Sequence, residues 1–92
     1  MASSLRYKTN VGSFRSGLDV VTRLRPITFD WKQDGRHDFG LGAEEVEKVD
    51  SHLVFYLNCK IEGVKYDRIG VVLINAVKEQ QVQIHQQQEQ LS

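Results

Sequence analysis

The spacing of apolar residues along the chain predicts a string of short elements followed by one long helix. In residues 1–12 the apolar contacts are Leu5, Tyr7 and Val11, set among Ser, Arg, Lys and Asn, a pattern that predicts an irregular or extended arm. Leu18, Val21 and Leu24 then recur at three-residue spacing. With Ser16 placed to cap and Pro26 forbidding continuation past Arg25, they predict a helix. Ile27, Phe29 and Trp31 alternate with Thr28 and Asp30, the period of a strand with its aromatic and β-branched side chains on the buried face. Asp34-Gly35 supplies a turn. Phe39 and Leu41 suit a second short strand. Ala43–Val49 has helical composition, with Val46 and Val49 on one side and Glu44, Glu45 and Glu47 in the first turns, where negative charge suits the helix dipole. Residues 53–57 are five apolar residues in a row, which predicts a third strand buried on both faces, and Gly63 offers a turn into Val64-Lys65-Tyr66.

The last quarter differs in kind. Asp67 is placed to cap a helix running from about Ile69 to the end. Val77, Ile84 and Leu91 stand seven residues apart, with Leu73, Gln80 and Gln87 at the intervening heptad positions. Seven Gln between residues 80 and 90 leave the distal helix too polar to fold back on a core, and alone in water it is marginal. Parallel copies of the same helix meet that need, with Gln in the seam fixing register. A frayed polar tail over residues 85–92 is the competing reading. The heptads alone do not choose between two strands and three. The fold class expected is therefore α+β. Residues 1–68 form an arm and a small mixed body of short helices and antiparallel strands, and residues 69–92 form a coiled-coil helix belonging to the same functional unit.

Ninety-two residues make one small domain, which buries only about 60 to 65% of its unfolded surface and gains from a partner chain. Twelve basic and twelve acidic residues cancel, so no overall field draws the molecule to nucleic acid or to an anionic membrane. No apolar run approaches the roughly 20 residues of a membrane span, so a soluble piece is expected. Cys59 is the lone cysteine and is read as a half-buried free thiol. His37, His52 and His85 share no ligand spacing, and no metal or cofactor is expected. Gly40-x-Gly42 lacks the third glycine of a nucleotide loop and is assigned to strand-to-helix packing. Phe29 and Trp31 are assigned to a core or subunit interface, and Arg23, Arg25, Lys60, Lys65 and Arg68 to a salt-bridged surface.

Four separated stretches carry a resemblance. Ser3-Ser4-Leu5-Arg6-Tyr7-Lys8-Thr9-Asn10-Val11 is similar to an opening Ser-Asp-x-Arg-Leu-Lys-x-Asn-Ile. Leu24-Arg25-Pro26-Ile27-Thr28-Phe29-Asp30-Trp31 is similar to Leu-x-Pro-Val-x-Phe-x-Trp. Gly40-Leu41-Gly42-Ala43-Glu44-Glu45-Val46 is similar to Gly-Phe-Ile-Ala-Gln-Glu-Val, and Val64-Lys65-Tyr66 through Ala76-Val77-Lys78-Glu79-Gln80-Gln81 to a Tyr-containing strand and the entry to a coiled coil. In this order and spacing they resemble the endosialidase-type intramolecular chaperone domain, found at the C-termini of phage tailspikes, tail fibres and other trimeric proteins. Ser4 stands where the family has Asp, Tyr7 where it has Leu, Gly42 where a bulkier apolar residue is usual, and Glu44 where it has Gln.

The resemblance implies a homotrimer whose partner is also the upstream fibre segment of its own polypeptide, working in phage assembly in the bacterial cytoplasm or on a bacterial surface fibre. It implies a single-turnover serine peptidase with Ser3 as nucleophile and Lys8 as general base, cutting between Ala2 and Ser3. A Ser hydroxyl is a poor nucleophile near neutral pH, and a Lys takes its proton only where burial or neighbouring positive charge disfavours the ammonium. Arg6 is the candidate for that charge, a closing trimer interface for the burial, and Asn10 or a backbone N–H for the oxyanion donor. Only Met1 and Ala2 precede Ser3, so the chain is expected to be the released chaperone or a fragment imitating it. The alternative function is a permanent trimerisation cap, which needs the helix and not the dyad.

Overall fold

The computed structural model describes residues 3–91. Their α+β architecture is two small hairpins and two short helices gathered on the first half of one long helix. A 3-10 turn at Leu5–Tyr7 is the one regular element of the arm, which otherwise matches the irregular segment expected. The first helix, α1, spans Leu18–Val21. It is shorter than the apolar spacing predicts, and Ser16 does not cap it: Gly17 occupies the N-cap without a side-chain bond. Thr22 Oγ1 donates back to the Leu18 carbonyl at 2.8 Å, competition of the kind that draws Thr toward helix ends. Leu24 is still half-buried and packs on the core.

Strand β1, Ile27–Asp30, pairs antiparallel with β2, His37–Gly40, and Thr28 lies opposite Phe39. Gly35 provides the turn with φ 73°, a conformation glycine adopts without penalty. Strand β2 holds Phe39 but ends one residue short of Leu41. The turn sets the parity of β2, so Phe39 shares the face of Thr28 and is 81% exposed, while Ile27 and Phe29 point the other way and are half-buried. Trp31 follows the strand, lies mostly outside the core, and meets Phe29 edge-to-face at 5.0 Å.

Helix α2 spans Ala43–Val49 as expected, with Val46 buried. A 3-10 turn at Ser51–Leu53 leads into β3, Val54–Leu57, which pairs with β4, Lys60–Val64. Two features of this hairpin depart from the sequence reading. Leu53 and Val54 are buried, but Phe55, Tyr56 and Leu57 are exposed, because a two-stranded sheet has no second layer to cover its far face. The turn falls at Asn58-Cys59, both with positive φ, and not at Gly63. Gly63 sits within β4 beneath the Phe55 ring, where any Cβ would overlap the ring. Cys59, at the turn tip, is exposed and not half-buried.

Helix α3 spans Tyr66–Leu91. It begins before Asp67, which therefore lies in the first turn and does not cap. Ile69, Val72 and Ala76 form its buried face against α1. Val20, Val46, Leu53, Val54, Ile69 and Val72 make the core, with Val46 and Val72 its most completely buried side chains. Beyond residue 79 every described residue of α3 is exposed, so about half the helix projects from the body. The radius of gyration of 17.1 Å reflects this, against about 12 Å for a compact chain of this length.

Candidate functional site

Two regions carry the expected function: the arm with Ser3 and Lys8, and the free face of α3. In the arm, Ser4 Oγ accepts the Arg6 backbone N–H at 3.3 Å, the bond that starts the 3-10 turn. Lys8 closes the turn, its backbone N–H donating to the Leu5 carbonyl at 3.0 Å. The Arg6 guanidinium donates to Ser4 Oγ at 3.4 Å and to the Tyr7 hydroxyl at 3.0 Å, and lies 4.6 Å from the Tyr7 ring centre. Ser3 and Lys8 flank this turn and both are exposed. No hydrogen bond joins them within the single chain. Asn10 takes φ 50°, the left-handed region that Asn tolerates better than most residues, and bends the arm there. Ala2, the residue before the expected cut, lies outside the described residues.

The arm meets the body at residues 14–18. Asn75 of α3 donates to the carbonyls of Phe14 and Ser16, and Glu79 accepts the Leu18 N–H. Sequence reading missed both side chains. Their partners are backbone atoms, and no residue type in the arm announces them.

The seam residues lie on α3 beside its buried face. Leu73, Val77, Ile84 and Leu91 are all exposed, Val77 by 62% and Leu91 by 89%, and Gln80 and Gln87 are exposed between them. Ile74 widens the apolar stripe. A stripe of this length on a projecting helix is an unsatisfied surface. Leu73 continues it onto the body, where an apolar groove is lined by Val21, Leu24, Leu41 and Ile69.

The remaining polar groups are structural. Tyr66 accepts the Leu41 N–H at 3.0 Å and stands where a Cβ on Gly40 would come within 2.9 Å, which explains a glycine at the strand-to-helix junction. Arg25 clasps Glu45 with two bonds of 3.0 and 2.6 Å, and this donor pair holds the Glu45 carboxyl below its usual range. His37, His52 and His85 pair with Asp30, Asp50 and Glu89 respectively. Among the described residues no three His, Cys, Asp or Glu side chains converge as a metal site would require, and no helix is long and apolar enough to cross a membrane.

Residues 3–55, more than half of the chain, match the family model described as chaperone of endosialidase, a family named as a peptidase family. The chain belongs to the chaperone of endosialidase family. The matched span runs from the arm through α1, the first hairpin and α2 into β3. It includes Ser3 and Lys8, and it ends before the last residues of β3 and before β4 and α3. No curated protein and no solved structure matches the chain.

Proposed function

We propose that this chain is an intramolecular chaperone that trimerises through α3, guides the folding of an upstream fibre segment of its own polypeptide, and releases itself by autoproteolysis between Ala2 and Ser3. The family supports the chaperone role. The observation that carries the rest is the exposed stripe of Leu73, Val77, Ile84 and Leu91 on a helix whose described residues beyond 79 are all exposed. An isolated helix of this kind is weakly stable in water, and parallel copies repair that by burying the stripe. Residues 1–68 and 69–92 then act as one unit.

The chemistry follows from assembly. In a lone subunit Lys8 is solvated and apart from Ser3. Packing of neighbouring chains over the arm removes water, disfavours the ammonium and brings the amine to the Ser3 hydroxyl, with Arg6 adding positive charge nearby. The hydroxyl then attacks the Ala2 carbonyl and Lys8 takes its proton. The tetrahedral oxyanion is held by Asn10 or a backbone N–H, Lys8 returns the proton to the Ser3 nitrogen as it leaves, and water hydrolyses the ester to an Ala2 carboxylate and the free Ser3 hydroxyl. No cofactor takes part. Cutting only after assembly leaves the upstream fibre kinetically trapped in its folded state.

The test joins the chain behind an upstream fibre segment and follows the products by mass spectrometry. The expected result is a fragment beginning at Ser3, absent in Ser3→Ala and Lys8→Ala, together with a sedimenting species of three times the chain mass. Cutting that survives both substitutions overturns the enzymatic half, and a stable monomer at high concentration overturns the assembly half. A second reading, a permanent trimerisation cap, is favoured by Ser4. The family has Asp there, whereas Ser4 Oγ is engaged by Arg6. A chain that trimerises and stays whole selects that reading.

A further inference from the structure

The root of the arm is held by two polar side chains of α3. Asn75 Nδ2 donates to the Phe14 carbonyl at 2.8 Å and to the Ser16 carbonyl at 3.1 Å. One turn further on, Glu79 Oε2 accepts the Leu18 backbone N–H at 3.1 Å. That N–H is one of the donors a helix leaves unsatisfied at its start, and Gly17, the N-cap of α1, brings no side chain to meet it. A residue 61 positions away does so instead. Gly17 is buried, and any Cβ there would overlap the Glu79 carboxylate, so glycine is what admits the carboxylate. Upstream of this clasp residues 3–15 are exposed.

Asn75 and Glu79 share a helix with the seam residues Leu73, Val77 and Gln80, so the same element carries the assembly surface on one flank and the arm's anchor on another. From Phe14 back to Lys8 is six residues, a reach of at most about 20 Å. With the clasp open, the next buried anchor is Val20, which doubles that reach to about 40 Å. Doubling a tether dilutes its end by about three- to eight-fold, depending on stiffness.

We infer that Asn75 and Glu79 are positioning residues for the chemistry of the arm: they tie residues 14–18 to α3 and thereby set where Ser3 and Lys8 lie when the helices assemble. The inference rests on the autoproteolytic reading above.

The experiment uses the chain joined to its upstream segment and compares Glu79→Ala, Asn75→Ala/Glu79→Ala, Glu79→Gln and Gly17→Ala with the parent by amide exchange, sedimentation and the rate at which the fragment beginning at Ser3 appears. Glu79→Ala is expected to speed exchange of the Leu18 amide by about tenfold while helix content and sedimentation stay unchanged. Asn75→Ala/Glu79→Ala, which frees Phe14, Ser16 and Leu18 together, is expected to cut about three- to eight-fold more slowly than the parent. Glu79→Gln keeps an acceptor and restores slow Leu18 exchange. Should Glu79→Ala lose its helix, Gly17→Ala, which leaves α3 itself untouched, must show the same faster exchange. Unchanged exchange at Leu18, or a parental cutting rate in the double variant, overturns the inference. A parent that is never cut overturns the autoproteolytic reading and the positioning role together, and Leu18 exchange then decides whether the anchor alone stands.

Discussion

Val72 is fully buried in the core, so Val72→Ala removes two methyl groups from a packed site. The expected cost is about 2 kcal/mol, read as a fall of about 10 °C in the melting temperature. Acid acts on other residues. Asp38 accepts the Phe39 backbone N–H and the Trp31 indole N–H, and Asp50 accepts the His52 backbone N–H and side chain. These bonds hold both carboxyls below their ordinary value of 3.8. A carboxyl lowered by folding stabilises the fold fully above its unfolded value and loses that contribution as pH falls through the folded one. Thermal melts are therefore expected to hold steady down to about pH 4 and to drop below it, less steeply in Asp50→Asn. At this scale the sequence was legible where chemistry is local, as in the Asp34-Gly35 turn, where the glycine takes the positive φ the turn needs. Asn75 and Glu79 were illegible because what they bind is main chain that the fold alone brings within reach.

Among the elements, α2 was read to its limits, since acidic residues in its first turn and buried Val46 agree on one helix. The second hairpin was misread because its turn has no glycine: Asn58 and Cys59 both take positive φ, and the visible glycine serves the Phe55 ring instead. Gly63→Ala is accordingly expected to destabilise more than a turn glycine would, by about 1–3 kcal/mol in denaturant unfolding, because Phe55 must shift to admit the methyl. The outward turn of Phe39 was equally hidden, since one residue of loop length inverts the face a strand presents. On α3 the heptad pattern and the exposed stripe coincide. Ile84 lies on the exposed distal part of α3, beyond the body, so Ile84→Lys is expected to leave the body intact by circular dichroism while abolishing the proposed trimer in sedimentation. A helix that works alone would tolerate the charge without change in mass.

For the whole molecule, the proposed assembly through the projecting helix of a chain with so small a core would put folding and association in one equilibrium. The melting temperature is expected to rise with protein concentration, as it does whenever the native state is an oligomer and the unfolded state is not. A midpoint independent of concentration would separate the two. The overall plan, an arm, a compact body and a long terminal helix, was legible because each has its own composition. How the arm attaches was not, since that depends on side chains 61 residues downstream in the sequence. The exposed Cys59 at the tip of the second hairpin has a practical consequence. It is the only sulfhydryl in the sequence, so a nitroxide attached there gives one spin per subunit without any engineered substitution. In a threefold-symmetric particle those spins form an equilateral triangle, giving one sharp dipolar distance with the modulation depth of three coupled labels.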